Sequence, residues 1–425
     1  MTNSLKPFSS LSVIGLGYIG LPTAALFASR KMDVIGVDVN SDTVRTINEG
    51  KVHFVEPDLE ALVSKVVLDG RLRATLKPEQ ADAFLIAVPT PFIGIDHMPD
   101  MSYVEAACVA IAPVLRSGNL VVLESTSPVG ATEQLAHWLA EARPDLSFPQ
   151  TCGEESDIRI AHCPERVLPG RVLYELLHND RVIGGMTRKC SELATVLYSI
   201  FVEGECVIAS SPRTAEMSKL TENSFRDVNI AFANELSLIA DRLGIDVWEL
   251  IRLANRHPRV NVLQPGPGVG GHCISVDPWF LVSSAPEEAR LVRVAREVND
   301  HKPYWVVRRV RALLADMKAG LGGDRQLVLA IYGLSFKPDI DDLRESPALK
   351  IAQLLVAEHD GPVLVVEPNI SELPTAVEKA QLVTAEETHS ADLHVMLVDH
   401  REFRDSQPTN GAIFDTRGVW RDRCG

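Results

Sequence analysis

The sequence lacks the features of a membrane protein or a secreted protein. No uninterrupted apolar run reaches the roughly 20 residues that a bilayer-spanning helix needs, and the N-terminus has no basic stretch followed by an apolar signal core. The seven cysteines are odd in number and never form a C-x-x-C pair, which argues against a disulfide framework and a zinc site. We therefore expect a cytoplasmic protein with no membrane partner and no metal ion.

Positive charge is also scarce. The 42 Lys and Arg residues are outnumbered by 57 Asp and Glu residues, which gives a net charge of −15. This balance opposes the binding of a polyanion, so we expect no nucleic-acid partner. A small anionic ligand stays open, because a few arginines and helix N-termini can hold a phosphate locally.

The order of apolar segments predicts the fold. At 425 residues the chain exceeds a single hydrophobic core. Buried-strand patterns alternate with helical patterns at both ends of the chain, whereas the middle is helical. The main expected strands are 11–16, 33–39, 84–90, 120–126, 327–333, 363–368, 393–399 and 412–416, and the long helices are 213–243 and 289–316. This order predicts an α/β fold: two Rossmann-like doubly wound domains, 1–205 and 316–425, joined by a central long-helix region, 206–315.

A G-x-G-x-x-G motif lies between the first expected strand and the first expected helix, at Gly15, Gly17 and Gly20. In that context the glycines permit a tight turn, the approach of a pyrophosphate to the backbone, and close helix–strand packing. Asp38 ends the next expected strand, where a carboxylate accepts hydrogen bonds from ribose hydroxyls and repels a 2′-phosphate. The motif therefore predicts NAD rather than NADP. The alternative is that the glycines only pack the turn.

A second glycine-rich segment, 266–271, runs directly into Cys273, and Asp277 follows four residues later. A cysteine is often only a small buried apolar residue. Beside a nicotinamide site, its thiolate can instead trap an aldehyde as a thiohemiacetal, which further oxidation converts to a thioester for hydrolysis. That chemistry oxidises a primary alcohol to an acid by four electrons. His272 is a candidate activating base, although its side chain need not point the same way.

Two polar clusters complete the candidate site. Lys219, Asn223 and Arg226 share one face of the expected long helix, where they either face solvent or bind the reacting hydroxyl and phosphate groups. Lys337 and Arg344 follow an expected strand of the last domain, near the edge where open α/β sheets bind ligands. The alternative for this second cluster is a solvated loop.

Six motifs in order, GLGYIGLPTA, STSPVG, PERVLPG, KLTENSFRDVNIAFANE, PGPGVGGHCISVDPWF and FKPDIDDLRESPA, resemble the UDP-glucose/GDP-mannose dehydrogenase family along nearly the whole chain. The resemblance implies an NAD-binding domain, a central helical dimerisation region and a C-terminal UDP-binding domain. The segment GGHCISVDPWF resembles the corresponding segment in the branch of the family that acts on N-acetylated hexosamines. UDP-N-acetyl-D-mannosamine is the expected substrate, and surface polysaccharide the expected destination of its product.

The same resemblance assigns roles by position. It implies that Cys273 is the nucleophile, Lys219 the proton donor and acceptor, and Asp277 a helper in hydrolysis. The NAD contacts that it implies are Tyr18, Ile19, Asp38, Thr90, Thr126 and Arg344. The UDP-sugar contacts that it implies are Arg166, Val167, Asn223, Arg226, His257, Arg259, Gly270, Phe336, Lys337 and Arg417. His257 and Arg259 are expected to act from the second subunit of a homodimer.

Other functions stay open on the sequence. The same chemistry on UDP-N-acetylglucosamine or UDP-glucose is the nearest alternative, since an epimer at C2 changes only one or two contacts and no motif identifies it. A two-electron 2-hydroxyacid dehydrogenase would share the first domain but would not need Cys273. A non-catalytic NAD sensor would be expected to lack Cys273 or Lys219, and the chain has both.

Overall fold

The structure is a computed structural model that describes residues 8–94, 97–167, 170–271, 273–321 and 325–420. The chain divides into two compact units, 1–222 and 223–425. Of the helices in the described ranges, none is both long and apolar enough to cross a bilayer.

The first unit is built on an eight-stranded sheet in the order β10-β9-β8-β7-β4-β1-β2-β3. Neighbouring strands are parallel except for β8 and β9, which are antiparallel. A separate antiparallel pair is formed by β5 and β6. The strands are β1 (Ser10–Ile14), β2 (Asp33–Val37), β3 (Leu72–Thr75), β4 (Ala83–Ile86), β5 (Phe92–Ile93), β6 (Met98–Pro99), β7 (Leu120–Leu123), β8 (Arg159–His162), β9 (Arg181–Gly185) and β10 (Cys206–Ile208).

Helices cover both faces of this sheet, because its central strands are apolar on both sides. In β4, Leu85 faces one hydrophobic core while Phe84 and Ile86 face the other, as the two-residue period of a strand requires. The helices are α1 (Gly20–Ser29), α2 (Ser41–Asn48), α3 (Leu59–Leu68), α4 (Ser102–Ile111), α5 (Ala131–Ala142), α6 (Pro149–Cys152), α7 (Val172–His178), α8 (Arg188–Tyr198) and α9 (Pro212–Leu243), the last of which continues into the second unit.

The second unit combines helices with a five-stranded parallel sheet in the order β13-β12-β11-β14-β15. Its further helices are α10 (Val247–Ala254), α11 (Asp277–Ser284), α12 (Arg290–Leu321) and α13 (Pro347–Glu358). Its strands are β11 (Leu329–Tyr332), β12 (Val363–Val366), β13 (Gln381–Leu382), β14 (Leu393–Met396) and β15 (Ala412–Asp415).

The predicted fold class is confirmed. The expected helices at 213–243 and 289–316 correspond to α9 and α12, and each of the eight expected strands overlaps an observed strand. The sheet of the first unit departs from the expectation in one respect, since β9 runs antiparallel to β8. The division into three domains at 205 and 315 stays a prediction.

Candidate active site

The first glycine motif forms the turn between β1 and α1. Gly15 has a φ of +94°, and a Cβ atom there would lie 2.5 Å from the Ala87 carbonyl oxygen. A Cβ atom on Gly20 would collide with the Gly15 carbonyl oxygen. The turn and its packing therefore require both glycines. A Cβ atom on Gly17 would meet no atom of the described residues within 4 Å. Packing does not explain Gly17, whereas a pyrophosphate that approaches the backbone does, and this fits NAD.

Asp38 lies beside this turn. Its carboxylate accepts hydrogen bonds from the Leu16 N–H at 3.0 Å and from the Asn40 N–H at 2.9 Å. The residue is half-buried, which leaves carboxylate lone pairs for ribose hydroxyls. Burial lowers the pKa of the neighbouring His53, although the Asp38 carboxylate opposes that shift. The lowered pKa disfavours the cationic form of His53, which could otherwise pair with a 2′-phosphate, and this favours NAD.

The other predicted NAD residues of this unit lie at the same edge of the sheet. Tyr18 and Ile19 immediately precede α1, and the Tyr18 ring stacks on Phe54 with centroids 4.3 Å apart. Thr90 and Thr126 follow β4 and β7, and Thr90 Oγ1 donates to the Thr126 carbonyl oxygen at 2.5 Å. Because β1 and β4 are neighbours and the connections on their two sides run in opposite directions, this edge is the topological switch point where open α/β sheets bind ligands.

Arg166 is oriented by acidic groups of its own unit. Its Nε and Nη2 atoms lie 3.1 and 2.7 Å from Glu222 carboxylate oxygens. The Arg166 N–H donates to Glu165, which also accepts from the buried Arg181 at 2.7 Å. Val167 packs against the hydrophobic core of the unit. The segment after β8 is thus held by the ion pair of Arg166 with Glu222 and by the packing of Val167 on the core. Arg166 supplies the positive charge of this segment.

Lys219 is buried on α9, where only 8% of its surface is exposed. One turn earlier, Glu216 accepts hydrogen bonds from the N–H groups of Gly130 and Thr132 at 2.6 and 2.8 Å. These bonds attach the first turns of α9 to the start of α5. A buried ammonium is costly unless polar groups compensate it, so Lys219 does not belong to a solvated helix face.

In the second unit, Cys273 begins the turn that leads into α11. Its carbonyl oxygen accepts from the N–H groups of Val276 and Asp277 at 3.0 and 2.8 Å, and the residue is exposed. Asp277 is buried, and its Oδ2 atom accepts from Asn223 Nδ2 at 2.5 Å. The structure therefore brings together two predicted site residues, Asn223 and Asp277. Asp277 lies four positions after the predicted nucleophile, Cys273. His272 lies outside the described residues.

The glycine-rich loop before Cys273 is closely packed. A Cβ atom on Gly270 would lie 3.0 Å from the Phe336 Cβ atom, and one on Gly266 would lie 2.6 Å from Arg417 Nη1. At Gly270 the nearest obstacle is the Glu345 carbonyl oxygen, so a side chain there would displace the loop, whereas at Gly266 the end of the flexible Arg417 side chain can move aside. The loop thus lies against Phe336 and Arg417, two residues that were predicted to bind the UDP-sugar.

Carboxylates also orient the basic residues near the last sheet. Arg344 forms a two-point ion pair with Asp342, with N···O distances of 2.8 and 2.6 Å. Arg417 Nε donates to Asp399 at 2.8 Å. Lys337 directly follows Phe336, and its carbonyl oxygen accepts from Ser335 Oγ at 2.7 Å. Each arginine pairs with a carboxylate through its Nε atom, and the paired acid reduces the net charge that a diphosphate meets.

Three predicted substrate residues lie on the surface instead. Arg226 is exposed on α9, and His257 and Arg259 are exposed in the loop after α10. His257 Nδ1 accepts from the Arg259 N–H at 3.3 Å.

The second unit repeats the nucleotide-binding turn of the first unit with one change. Gly333 has a φ of +89°, and the Leu334 N–H donates to Glu367 at 2.7 Å, as the Leu16 N–H donates to Asp38. Glu367 is only 3% exposed and lies 3.1 Å from His400 Nε2. Burial opposes its ionisation, but hydrogen bonds from His400 and the backbone outweigh this effect and lower its pKa. Because His400 occupies the Glu367 carboxylate, this turn offers a ribose less than Asp38 does.

Sequence reasoning did not single out the acidic partners of the arginines. Glu222 is 56 residues from Arg166 and Asp399 is 18 residues from Arg417, so no local pattern indicated either pair. Asp342 had a signal, since it lies two residues before Arg344 in the same motif.

Three segments match the UDP-glucose/GDP-mannose dehydrogenase family: its NAD binding domain at 9–202, its central domain at 213–301 and its UDP binding domain at 330–422. The chain is 64% identical to UDP-N-acetyl-D-mannosamine dehydrogenase of Yersinia pestis over 97% of this chain and 100% of that protein. It is 62% identical to NDP-N-acetyl-D-galactosaminuronic acid dehydrogenase of Ralstonia nicotianae over 97% of this chain and 96% of that one. The solved structure of UDP-D-ManNAc dehydrogenase from Pyrococcus horikoshii superposes with a TM-score of 0.86 at 38% identity, covering 97% of this chain and 96% of that chain.

Proposed function

Because the chain belongs to the UDP-glucose/GDP-mannose dehydrogenase family, we propose that it oxidises the C6 hydroxymethyl group of UDP-N-acetyl-D-mannosamine to a carboxylate, with NAD as oxidant. The hydrogen bond of 2.5 Å between Asn223 and Asp277, beside the exposed Cys273, is the observation that carries this proposal. It fixes a buried acid four residues after an exposed thiol, and these are the two groups that covalent capture of an aldehyde and hydrolysis of a thioester would use, whereas a simple alcohol dehydrogenase needs no thiol.

Cys273 is the proposed nucleophile. Two NAD molecules, bound one after the other, would each accept one of the two hydrides that leave the sugar C6 carbon. The Cys273 thiolate adds to the C6 aldehyde carbon and holds the intermediate as a thiohemiacetal, which becomes a thioester on the second oxidation. Water then cleaves the thioester, which restores the thiol and releases the acid. Asp277, held by Asn223, is proposed to orient that water or take its proton.

Lys219 is the proposed proton donor and acceptor. A buried cation stabilises negative charge that develops on the C6 oxygen far better than a solvated cation would. The attachment of α9 through Glu216 fixes the position of Lys219 before substrate arrives. Because Lys219 is already in position, its side chain does not have to reorganise as the transition state forms, and this lowers the barrier.

We propose that Arg166, Val167, Asn223, Arg226, Gly270, Phe336, Lys337 and Arg417 contact the UDP-sugar, and that Arg344 contacts the NAD pyrophosphate. The paired acids support this assignment for Arg166, Arg344 and Arg417, since a guanidinium that pairs with a carboxylate on one side keeps further N–H donors for phosphate oxygens. A diphosphate therefore meets oriented donors.

A homodimer is the proposed assembly. Phe225, Phe232 and Ile239 recur every seven residues on α9 and are 69%, 52% and 48% exposed, and Leu243 extends the row at 64%. Seven residues are close to two helical turns, so these side chains form one apolar stripe. Such a stripe is typical of a helix that packs on a partner. His257 and Arg259 are proposed to act on the partner's substrate.

The expected product is UDP-N-acetyl-D-mannosaminuronate. We propose that the enzyme makes it in the cytoplasm and that it serves as a precursor of surface polysaccharide. The sugar itself is the point to test, because relatives at 64% and 62% identity carry names with different sugars. One or two contacts separate these substrates, which corresponds to about 10–200-fold in kcat/KM.

The test is a panel of initial rates of NADH formation with UDP-N-acetylmannosamine, UDP-N-acetylgalactosamine, UDP-N-acetylglucosamine and UDP-glucose. We expect kcat/KM to be at least about tenfold higher for the first sugar. A higher value for another sugar would reassign the substrate, and no NADH with any of the four would favour an NAD sensor.

A further inference from the structure

Beneath the loop that carries Cys273 lies a set of buried polar side chains without an assigned role. They are Asp227 and Asn234 on α9 and Arg296 and Asn299 on α12, and each is at most 1% exposed. Ordering and desolvating four polar side chains is costly unless their hydrogen bonds are made. Their partners therefore indicate what the cluster holds.

One end of the cluster holds the start of the loop. The Gly266 N–H donates to Asn234 Oδ1 at 2.9 Å, and Asn234 Nδ2 donates to Asn299 Oδ1 at 2.8 Å. Asn299 Nδ2 in turn donates to Asp227 Oδ1 at 2.8 Å. All three hydrogen bonds point toward the same carboxylate, so each one polarises and strengthens the next.

The other end of the cluster holds the residue after the nucleophile. Arg296 Nη1 donates to Asp227 Oδ1 at 2.7 Å and to the Ile274 carbonyl oxygen at 3.4 Å. Arg296 Nη2 also contacts Asp300 on its own helix. The guanidinium is thereby fixed on two acids while it reaches the backbone next to Cys273.

We propose that Asn234 and Arg296 are positioning residues that hold the two ends of segment 266–274 through Asp227 and Asn299. The kinetic part of this inference rests on the proposed function. The frame keeps Cys273 and Asp277 in a fixed orientation before substrate binds, and small displacements of such groups cost large factors in rate. Neither Asn234 nor Arg296 acts on the substrate itself.

Asn234→Asp is the most informative variant, because it preserves volume. The introduced carboxylate still accepts a hydrogen bond from the Gly266 N–H. It has no donor for Asn299 Oδ1, so two acceptor oxygens would face each other. If the Asn299 amide rotates by 180° to offer its NH₂ group to the new carboxylate, its oxygen then faces the Asp227 carboxylate, and two acceptors meet there instead. A protonated carboxyl restores the donor, and the nearby Asp227 carboxylate favours that form. The defect of this variant should therefore shrink as pH falls from 8 to 6.

The second variant, Arg296→Lys, keeps the charge beside Asp227 but loses the fork that also reaches Ile274. Arg309→Lys is the matched control. Arg309 pairs with Asp241 at 3.1 Å on the same two helices, and neither residue contacts segment 266–274 in the hydrogen bonds described above.

The experiment combines hydrogen–deuterium exchange of the peptide that covers 263–276 with kcat and KM measurements on the full chain. We expect both loop variants to exchange this peptide at least tenfold faster, with peptides of α9 and α12 unchanged. We expect kcat to fall about tenfold or more, KM to stay within about threefold, and Arg309→Lys to match the wild type.

Unchanged exchange of the 263–276 peptide in both variants would overturn the inference, as would faster exchange throughout the unit or an equal effect of Arg309→Lys. A loss of kcat in Asn234→Asp that does not depend on pH would also contradict the proposed hydrogen-bond direction. The exchange measurement needs no turnover. If no sugar is oxidised, the proposed function fails while the frame is still tested.

Discussion

At the scale of single residues, Gly17 and Gly20 must be glycine for different reasons. Packing excludes a side chain at Gly20, which lies against the Gly15 carbonyl oxygen, but not at Gly17. The two positions therefore separate the stability of the turn from its ability to bind a ligand.

We expect Gly17→Ala to raise the dissociation constant of NAD by about tenfold or more, with little change in melting temperature, because the added methyl group lies where the pyrophosphate approaches. Gly20→Ala should instead destabilise the unit by roughly 1–3 kcal/mol. Calorimetry of NAD binding and thermal unfolding of both variants would check this pair. Unchanged NAD affinity in Gly17→Ala would contradict the assignment of this turn.

The predictability of these residues follows the range of the forces involved. The steric demands of a turn depend on residues a few positions apart, and Cys273 and Asp277 follow the glycine-rich segment directly. The sequence alone therefore indicated the glycines, Cys273 and Asp277. Ion pairs such as Arg166–Glu222 and hydrogen bonds such as Asn234–Asn299 join residues that are 56 and 65 positions apart. Only the fold brings these groups together.

At the scale of elements, α9 carries two chemically different sets of side chains on its buried and exposed sides. Its buried side carries Lys219, Asn223, Asp227 and Asn234, whereas Phe225, Phe232 and Ile239 are exposed. The period of 3.6 residues made this helix predictable to within one residue at each end. The antiparallel direction of β9 was not predictable, because strand direction depends on the sheet and not on the local pattern.

The exposed stripe gives an assembly prediction. Phe232→Glu should weaken self-association by at least about 30-fold, since it places a charge at the centre of an apolar interface. The measurement is the molar mass by light scattering across a range of concentrations. Leu68→Glu is the control, because Leu68 is 87% exposed outside α9. A wild-type protein that is monomeric at all concentrations would contradict the proposed dimer.

At the scale of the whole molecule, stability should depend on pH through Lys302. This side chain is 2% exposed, donates to Ser237 Oγ and lies 4.3 Å from the Trp305 ring centroid. Burial lowers its pKa from 10.5 to about 7, although Asp241 opposes the shift. Between these two values the folded lysine is neutral while the unfolded lysine is protonated. Unfolding then takes up a proton, so this contribution to stability rises with pH.

We expect the free energy of unfolding of the wild type to rise between pH 7.5 and 9.5 relative to Lys302→Met, by at most about 1.4 kcal/mol per pH unit. Denaturant titrations at three pH values would measure the difference. Lys350→Met is the matched control, since the exposed Lys350 lies 4.5 Å from the Tyr304 ring. A difference that does not change with pH would mean that Lys302 stays charged in the fold.

The central claim is a four-electron oxidation that depends on Cys273, and the most direct test counts the NADH formed per UDP-N-acetylmannosamine consumed. The account predicts two NADH and one uronic acid per sugar for the wild type and for Cys152→Ala, which removes another exposed cysteine. It predicts a loss of acid formation on the order of 10³-fold or more in Cys273→Ala, with NAD and UDP-sugar binding retained. One NADH per sugar in the wild type, or full acid formation without Cys273, would contradict the account.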